Sequence, residues 1–284
     1  MVLKMLRRAI YTLFGSFVLI IATALIVVRC PSISVPPSER LTTYSDEPYR
    51  RVLTACVRDG LVDYHQLRAE YGDELHQYLD AIGRFGPNST PDLFPTHDHQ
   101  LAYYLNAYNA LMLRKWLDGG AGMGGEPKTV NRLWFFTNFW RVDGSWTSLD
   151  KLEQSLIRPT FKEPRIHVAL VCGAMGCPPL LEEPLVSERL DEQLDGLGRR
   201  WLREPDGLQV RDDDTVLMSG IFSWYREDFD AMGGLLGVLE RYLDPDDRRR
   251  EVAIAAARQG RIEFMDYDWS INQALPIEST APRE

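Results

Sequence analysis

Between Ala9 and Val28 the chain carries no charged residue and is almost wholly apolar. A helix rising about 1.5 Å per residue needs about 20 such residues to cross the roughly 30 Å hydrocarbon core of a bilayer. Lys4, Arg7 and Arg8 precede the run, and a basic flank stays on the cytoplasmic side. The pattern predicts a single-pass signal anchor: residues 1–8 in the cytoplasm, 9–28 in the inner membrane, and the rest of the chain in the periplasm. A cleaved signal peptide fits less well. Its apolar core is about 7–15 residues long and ends at a small-residue cleavage pattern, which is missing here. Arg29 stands where a lipoprotein modified at Cys30 wants a small residue. Residues 29–46, with Pro31, Pro36 and Pro37, read as an extended linker.

The remainder, 47–284, suits one globular domain. The whole chain of 284 residues is 45% hydrophobic and 26% charged, ordinary values for a folded protein. Its formal net charge of -9 excludes nucleic acid as a natural partner, since Lys and Arg are too few to neutralise phosphates. Helical spacing starts near Glu47, with Val52, Leu53, Cys56 and Val57 on one face, and returns at Leu67, Tyr71, Leu75, Tyr78, Leu79 and Ile82. The strongest helix runs from Asp98 to Leu117, with Thr96 or Asp98 as cap. Asp143-Gly144 predicts a hairpin turn between Trp140–Val142 and Ser145–Thr147. Ser148 caps a short helix that Pro159 closes. Ile166, Val168, Ala169, Leu170 and Val171 form an apolar run rich in β-branched residues, which predicts a buried strand. A loop holding Gly173, Gly176, Pro178 and Pro179 ends it. Ser187 opens another helix, Leu208–Val210 and Thr215–Met218 form a second hairpin, Pro245 opens a helix to Gln259, and Arg261–Met265 is the last strand. Helices come first and strands are mixed in later. That order predicts an α+β fold, helices packed on a small, mostly antiparallel sheet.

Chemistry concentrates at His167–Leu180, which holds two of the four cysteines and one of the five histidines. Cys172 and Cys177 have two readings. In an oxidising compartment they close a small disulfide. Alternatively Cys177, placed before Pro178 at a helical N-terminus, is a nucleophile with His167 as its base. In a redox version Cys172 resolves an oxidised Cys177. On the long helix, Asn106 and Asn109 lie one turn apart with Tyr108 between them. They either tie the helix to a nearby loop or orient a catalytic group or substrate. The His97-Asp98-His99 cluster precedes a helix, where alternate residues diverge, so it does not make a metal site. No cofactor motif is present: there is no phosphate loop, no dinucleotide fingerprint and no Gly-x-Ser-x-Gly elbow.

Four segments in order carry a family resemblance: Tyr104-Leu105-Asn106-Ala107-Tyr108-Asn109-Ala110; His167 to Gly173 with Cys177-Pro178-Pro179; Phe222-Ser223-Trp224-Tyr225 with Asp228-Phe229; and Tyr267-Asp268-Trp269-Ser270-Ile271-Asn272. The sequence resembles the bacterial family known as domain of unknown function 547. Its members look distantly similar to papain-like and transglutaminase-like proteins, in which a helix packs on a small antiparallel sheet. Those enzymes place their cysteine at the start of the central helix. Here the helix carries asparagines, and the cysteines follow the predicted strand.

Two functions remain. One is a membrane-anchored periplasmic domain with cysteine-dependent chemistry on a thiol, amide or thioester of a small molecule or peptide. Cys177, His167 and Cys172 would carry the reaction, and Asn106, Asn109 and Tyr108 would orient it. The other is a non-catalytic envelope binding module with a structural disulfide, presenting the aromatic segment Trp134–Trp146 to an envelope protein.

Overall fold

The computed structural model describes residues 43–123 and 138–274. The anchor at 9–28, its basic flank, the linker to residue 42 and Trp134 to Phe136 lie outside them. Among the described residues no helix is long and apolar enough to cross a membrane.

Helix α1 (Glu47–Cys56) leads through a short antiparallel pair, β1 (Val57–Arg58) and β2 (Leu61–Val62), into α2 (Tyr64–Glu70) and α3 (Gly72–Arg84). The organising element is α4 (His97–Asp118), whose side chains from Leu101 to Leu113 are all buried. A helix that is apolar on every side belongs in the middle of a fold. Thr96 caps it, its hydroxyl accepting the His99 N–H at 3.3 Å.

The first hairpin forms in the predicted register, β3 (Trp140–Val142) against β4 (Ser145–Thr147), with Val142 opposite Ser145. Asp143 and Gly144 both have positive φ, 51° and 74°, the geometry of a type I′ turn. The Asp143 carboxylate also accepts the Asn88 and Ser89 N–H groups, each at 2.8 Å, and the Tyr104 hydroxyl at 2.8 Å. That ties the hairpin to the loop before α4.

Ser148 caps the next helical stretch, accepting the Lys151 N–H at 3.2 Å. The stretch is π-helical over Lys151–Ile157 and runs on into α5 (Arg158–Phe161). Pro159 does not close it as expected. The proline falls in the first turn of α5, where a missing N–H costs little.

The predicted strand at Ile166–Val171 is not there. Pro164–Val168 is a 3₁₀ turn. Pro164 sets its start, the Glu163 side chain accepts the Arg165 N–H at 3.0 Å, and Ala169 N–H bonds back to Ile166 O at 3.0 Å. The Val171 N–H goes to an Asn109 side chain instead of a neighbouring strand. Arg165 fixes the turn by pairing with Glu163, Asp191 and Asp195 at 2.8, 2.6 and 2.9 Å.

Helix α6 (Leu190–Arg203) packs against that turn. The second hairpin, β5 (Leu208–Val210) and β6 (Val216–Met218), is antiparallel as predicted. Three helices come next: α7 (Gly220–Trp224), α8 (Arg226–Phe229) and α9 (Gly234–Tyr242). Helix α10 spans Arg250–Arg258 and so starts later than Pro245. Strand β7 (Ile262–Phe264) joins β6 in parallel. The α+β class therefore holds. Among the described residues, however, the strands form three small sheets, one of them mixed.

Candidate active site

Cys172 and Cys177 are joined by a disulfide, with Cα atoms 6.3 Å apart. Local sequence shapes the loop between them. Gly173 has φ +75°, and a Cβ there would collide with the Trp116 indole nitrogen. Glycine is the residue that fits both demands. The Trp116 indole N–H donates to Cys172 O at 3.1 Å. No helix begins at Cys177: residues 177–186 are irregular, so the expected helical N-terminus does not support that sulfur.

A different device does. The late segment Asp268–Asn272 lies along the loop, with Met175 N–H bonding Ser270 O at 2.8 Å, Gly176 N–H bonding Asp268 O at 3.0 Å, and Asn272 N–H bonding Gly173 O at 2.9 Å. This brings the Tyr267 hydroxyl to 2.9 Å from Cys177 Sγ and 3.2 Å from Cys172 Sγ. Burial raises the Tyr267 phenol above its ordinary pKa, so it stays an O–H donor. The Cys172 N–H also points at Cys177 Sγ, at 3.0 Å. Cys177 is thus buried beneath two donors, and Cys172 is the more exposed residue of the pair.

Both sulfurs lie in the wall of a cavity of about 710 Å³, which His167 and Tyr108 also line. His167 is 3% exposed. Its Nε2 is 2.6 Å from Asp228 Oδ2, and its ring stacks on Tyr225 with centroids 3.9 Å apart. Asp228 is also gripped by Arg158, Nε to Oδ2 at 2.7 Å and Nη2 to Oδ1 at 3.0 Å. The hydrogen bonds from His167 and Arg158 hold the Asp228 carboxyl well below the usual carboxylate range, against the opposing effect of burial. Asp228 in turn raises the Arg158 pKa.

Across the same cavity the π-helical stretch contributes Glu153 and Gln154. Glu153 is 9% exposed. Its carboxylate accepts the Tyr108 hydroxyl at 3.2 Å, the Tyr225 hydroxyl at 2.6 Å and the Gln154 amide at 2.8 Å. Burial raises both phenols, so they act as donors here. The mouth is aromatic: Trp224, Tyr267 and Trp269 contact one another, with centroids 4.6 to 5.8 Å apart.

Four of the six predicted site residues therefore meet: Cys172, Cys177, His167 and Tyr108. Asn106 and Asn109 lie elsewhere, beside a separate void of about 10 Å³. Both ends of each amide bind main chain. Asn106 donates to Leu185 O at 2.8 Å and accepts from Leu185 N–H at 3.0 Å. Asn109 donates to Ala169 O at 2.8 Å and accepts from Val171 N–H at 2.9 Å. They anchor the segments on either side of the cysteine loop. Sequence reasoning misses Glu153, Arg158 and Asp228 as site residues. Asp228, Tyr225 and Tyr267 belong to the family-like segments, and that is their only signal. His97, Asp98 and His99 sit at the start of α4, and no group suited to a metal occurs among the described residues.

The comparisons with known proteins bear on the same region. Residues 93–202 match the family model described as a protein of unknown function, DUF547. Neither the curated proteins nor the solved structures compared with the chain contain a match. Residues 93–202, which carry both the asparagine helix and the cysteine loop, are thus similar to the DUF547 family.

Proposed function

We propose that this domain catalyses thiol–disulfide exchange on a small substrate in the periplasm, held to the inner membrane by residues 9–28. One observation carries the reading: the Cys172–Cys177 disulfide forms part of a cavity wall, and its buried sulfur has two hydrogen-bond donors aimed at it. An oxidising compartment keeps such a pair oxidised at rest.

The chemistry rests on the two sulfurs' surroundings. A substrate thiolate attacks Sγ of Cys172, the more exposed cysteine of the pair. The new substrate–Cys172 disulfide forms as the Cys172–Cys177 bond breaks. Cys177 leaves as a thiolate, which accepts from the Tyr267 O–H and the Cys172 N–H. Donors to the charged form lower a thiol pKa, and a leaving thiol of low pKa leaves faster. His167, oriented by Asp228, takes the substrate's proton. A second thiol then attacks the substrate sulfur and releases Cys172. Two thiols are oxidised to a disulfide and the protein disulfide is reduced to a dithiol; attack of that dithiol on a second small-molecule disulfide, the reverse of the same steps, releases two thiols and restores the Cys172–Cys177 bond.

Iodoacetamide labelling of the mildly reduced, detergent-solubilised chain tests this, read cysteine by cysteine from peptide masses against pH. Cys56 is the internal control, because burial pushes its thiol up to about 12. Cys177 should label with a midpoint below about 8.5, the ordinary thiol value. Tyr267→Phe should move that midpoint upward, and His167→Ala should slow exchange with a substrate thiol. Labelling of Cys177 as slow as that of Cys56, and insensitive to either substitution, would leave a binding module with a structural disulfide.

A further inference from the structure

The charges around the cavity do not balance. Its charged lining is Asp150, Glu153, Arg158 and His167. Arg158 is committed to Asp228 through two hydrogen bonds, and His167 shares that partner. Glu153 and Asp150 have no ion pair among the described residues. Glu153 is held in place by two phenols and an amide, neutral donors that orient a carboxylate without cancelling its charge. A nearly buried carboxylate gains most from a cation that arrives with its own charge. The mouth of the same cavity is a wall of three aromatic rings, and Trp224 is 51% exposed there. Aromatic faces attract ammonium groups and pack against their methylenes. One ring of that wall, Tyr267, also touches both sulfurs. The cation-attracting surface therefore continues up to the reactive bond.

We propose that the cavity selects substrates carrying an ammonium group: small aliphatic aminothiols and the disulfides they form. Glu153 supplies the main countercharge, Asp150 adds to it, and Trp224 and Trp269 cover the cation. The selection rests on the exchange reading above for its sulfur step but not for its charge preference. A free carboxylate on the substrate faces the same two acidic groups and is disfavoured. A neutral thiol of equal size falls between.

Cysteamine, 2-mercaptoethanol and 3-mercaptopropionate differ chiefly in charge. Each would be reacted with the full-length oxidised protein in detergent at low ionic strength, and its rate divided by its rate with a small-molecule disulfide. The normalised rates should fall in that order, with about a tenfold or greater span between the first and the last, the size expected for a partly desolvated charge pair with a cation–π contact. Added salt should compress the span. Glu153→Gln keeps the shape and should bring the span to about two- to threefold with an unchanged far-ultraviolet dichroism spectrum; losing one of two carboxylates leaves a residue of steering. A second measurement needs no sulfur chemistry: quenching of tryptophan fluorescence by propylammonium, propanol and propionate. Propylammonium should quench at the lowest concentration in the wild type and lose that advantage in Glu153→Gln. Exchange with all three thiols at equal normalised rates, or equal quenching by the three probes, overturns the selection while leaving exchange intact. Ammonium-selective quenching without any thiol exchange supports the selection and removes the exchange reading.

Discussion

Replacing Asn109 with Leu should loosen the cysteine loop from the helix beneath it. The wild-type amide makes two buried hydrogen bonds, to Ala169 O and from Val171 N–H. Leucine makes neither and offers no polar atom in exchange. Each buried main-chain group left without a partner costs about 1–3 kcal/mol. Two such groups, partly relieved by local movement, give a loss of about 2–5 kcal/mol. In a domain of this size each kcal/mol moves the melting temperature by about 2–4 °C, so a fall of about 10 °C is the central expectation. Thermal melts followed by circular dichroism, with wild type and Asn109→Leu in the same detergent, measure it. Asn109→Asp is the informative companion. Its carboxylate still accepts from Val171 N–H but sets a second oxygen against Ala169 O, so near neutral pH it should be no milder than leucine. A melting temperature within about 1 °C of wild type for the leucine variant would mean that the amide does not hold the loop, and the same reasoning for Asn106 would fall with it.

Two further outcomes concern other parts of the molecule. On the anchor reading of the charge-free run at 9–28 and its basic flank, alkaline phosphatase fused after residue 284 should be active; an inactive fusion, or a mature N-terminus beyond residue 28, refutes the anchor. Asp228 has its carboxyl lowered by His167 and Arg158, so its stabilisation is fully present above the unfolded value of about 4 and is lost as pH falls through the lower folded value. The melting-temperature gap between wild type and Asp228→Asn should hold steady near pH 5–6 and close below about pH 4; a gap unchanged by acid would show that the carboxylate's charge is not what stabilises the pair.

What the sequence revealed was local. The 22-residue helix His97–Asp118, its Thr96 cap, both hairpins and the register of the first arise from spacing and turn chemistry a few residues long. The run Ile166–Val171 misled because β-branched residues suit any dry place, and here burial comes from α4 and α6 rather than from neighbouring strands. The parallel pairing of β7 with β6 was invisible, since strand character says nothing about direction. The site was half legible. The cysteines, His167 and Tyr108 stand out by type and setting. Glu153, Arg158 and Asp228 are ordinary charged residues on short helices, and they acquire meaning from partners 45 to 72 positions away. The asparagine pair is unusual in the sequence for a real reason, and the structure gives it to the backbone rather than to the cavity.

The strap Asp268–Asn272 imposes an order of assembly. Cys172 and Cys177 are five positions apart, so their disulfide closes a loop that needs no distant part of the chain. Tyr267 comes 90 positions after Cys177, and Asn272 must reach back 208 positions to the Tyr64 hydroxyl to be fixed. Such distant contacts close late in folding, after local ones have formed. The local disulfide can therefore form before the Tyr267 hydroxyl is brought against it. On the exchange reading proposed above, the sulfurs gain the Tyr267 donor only when the strap is laid across the loop, so their activation coincides with completion of the fold.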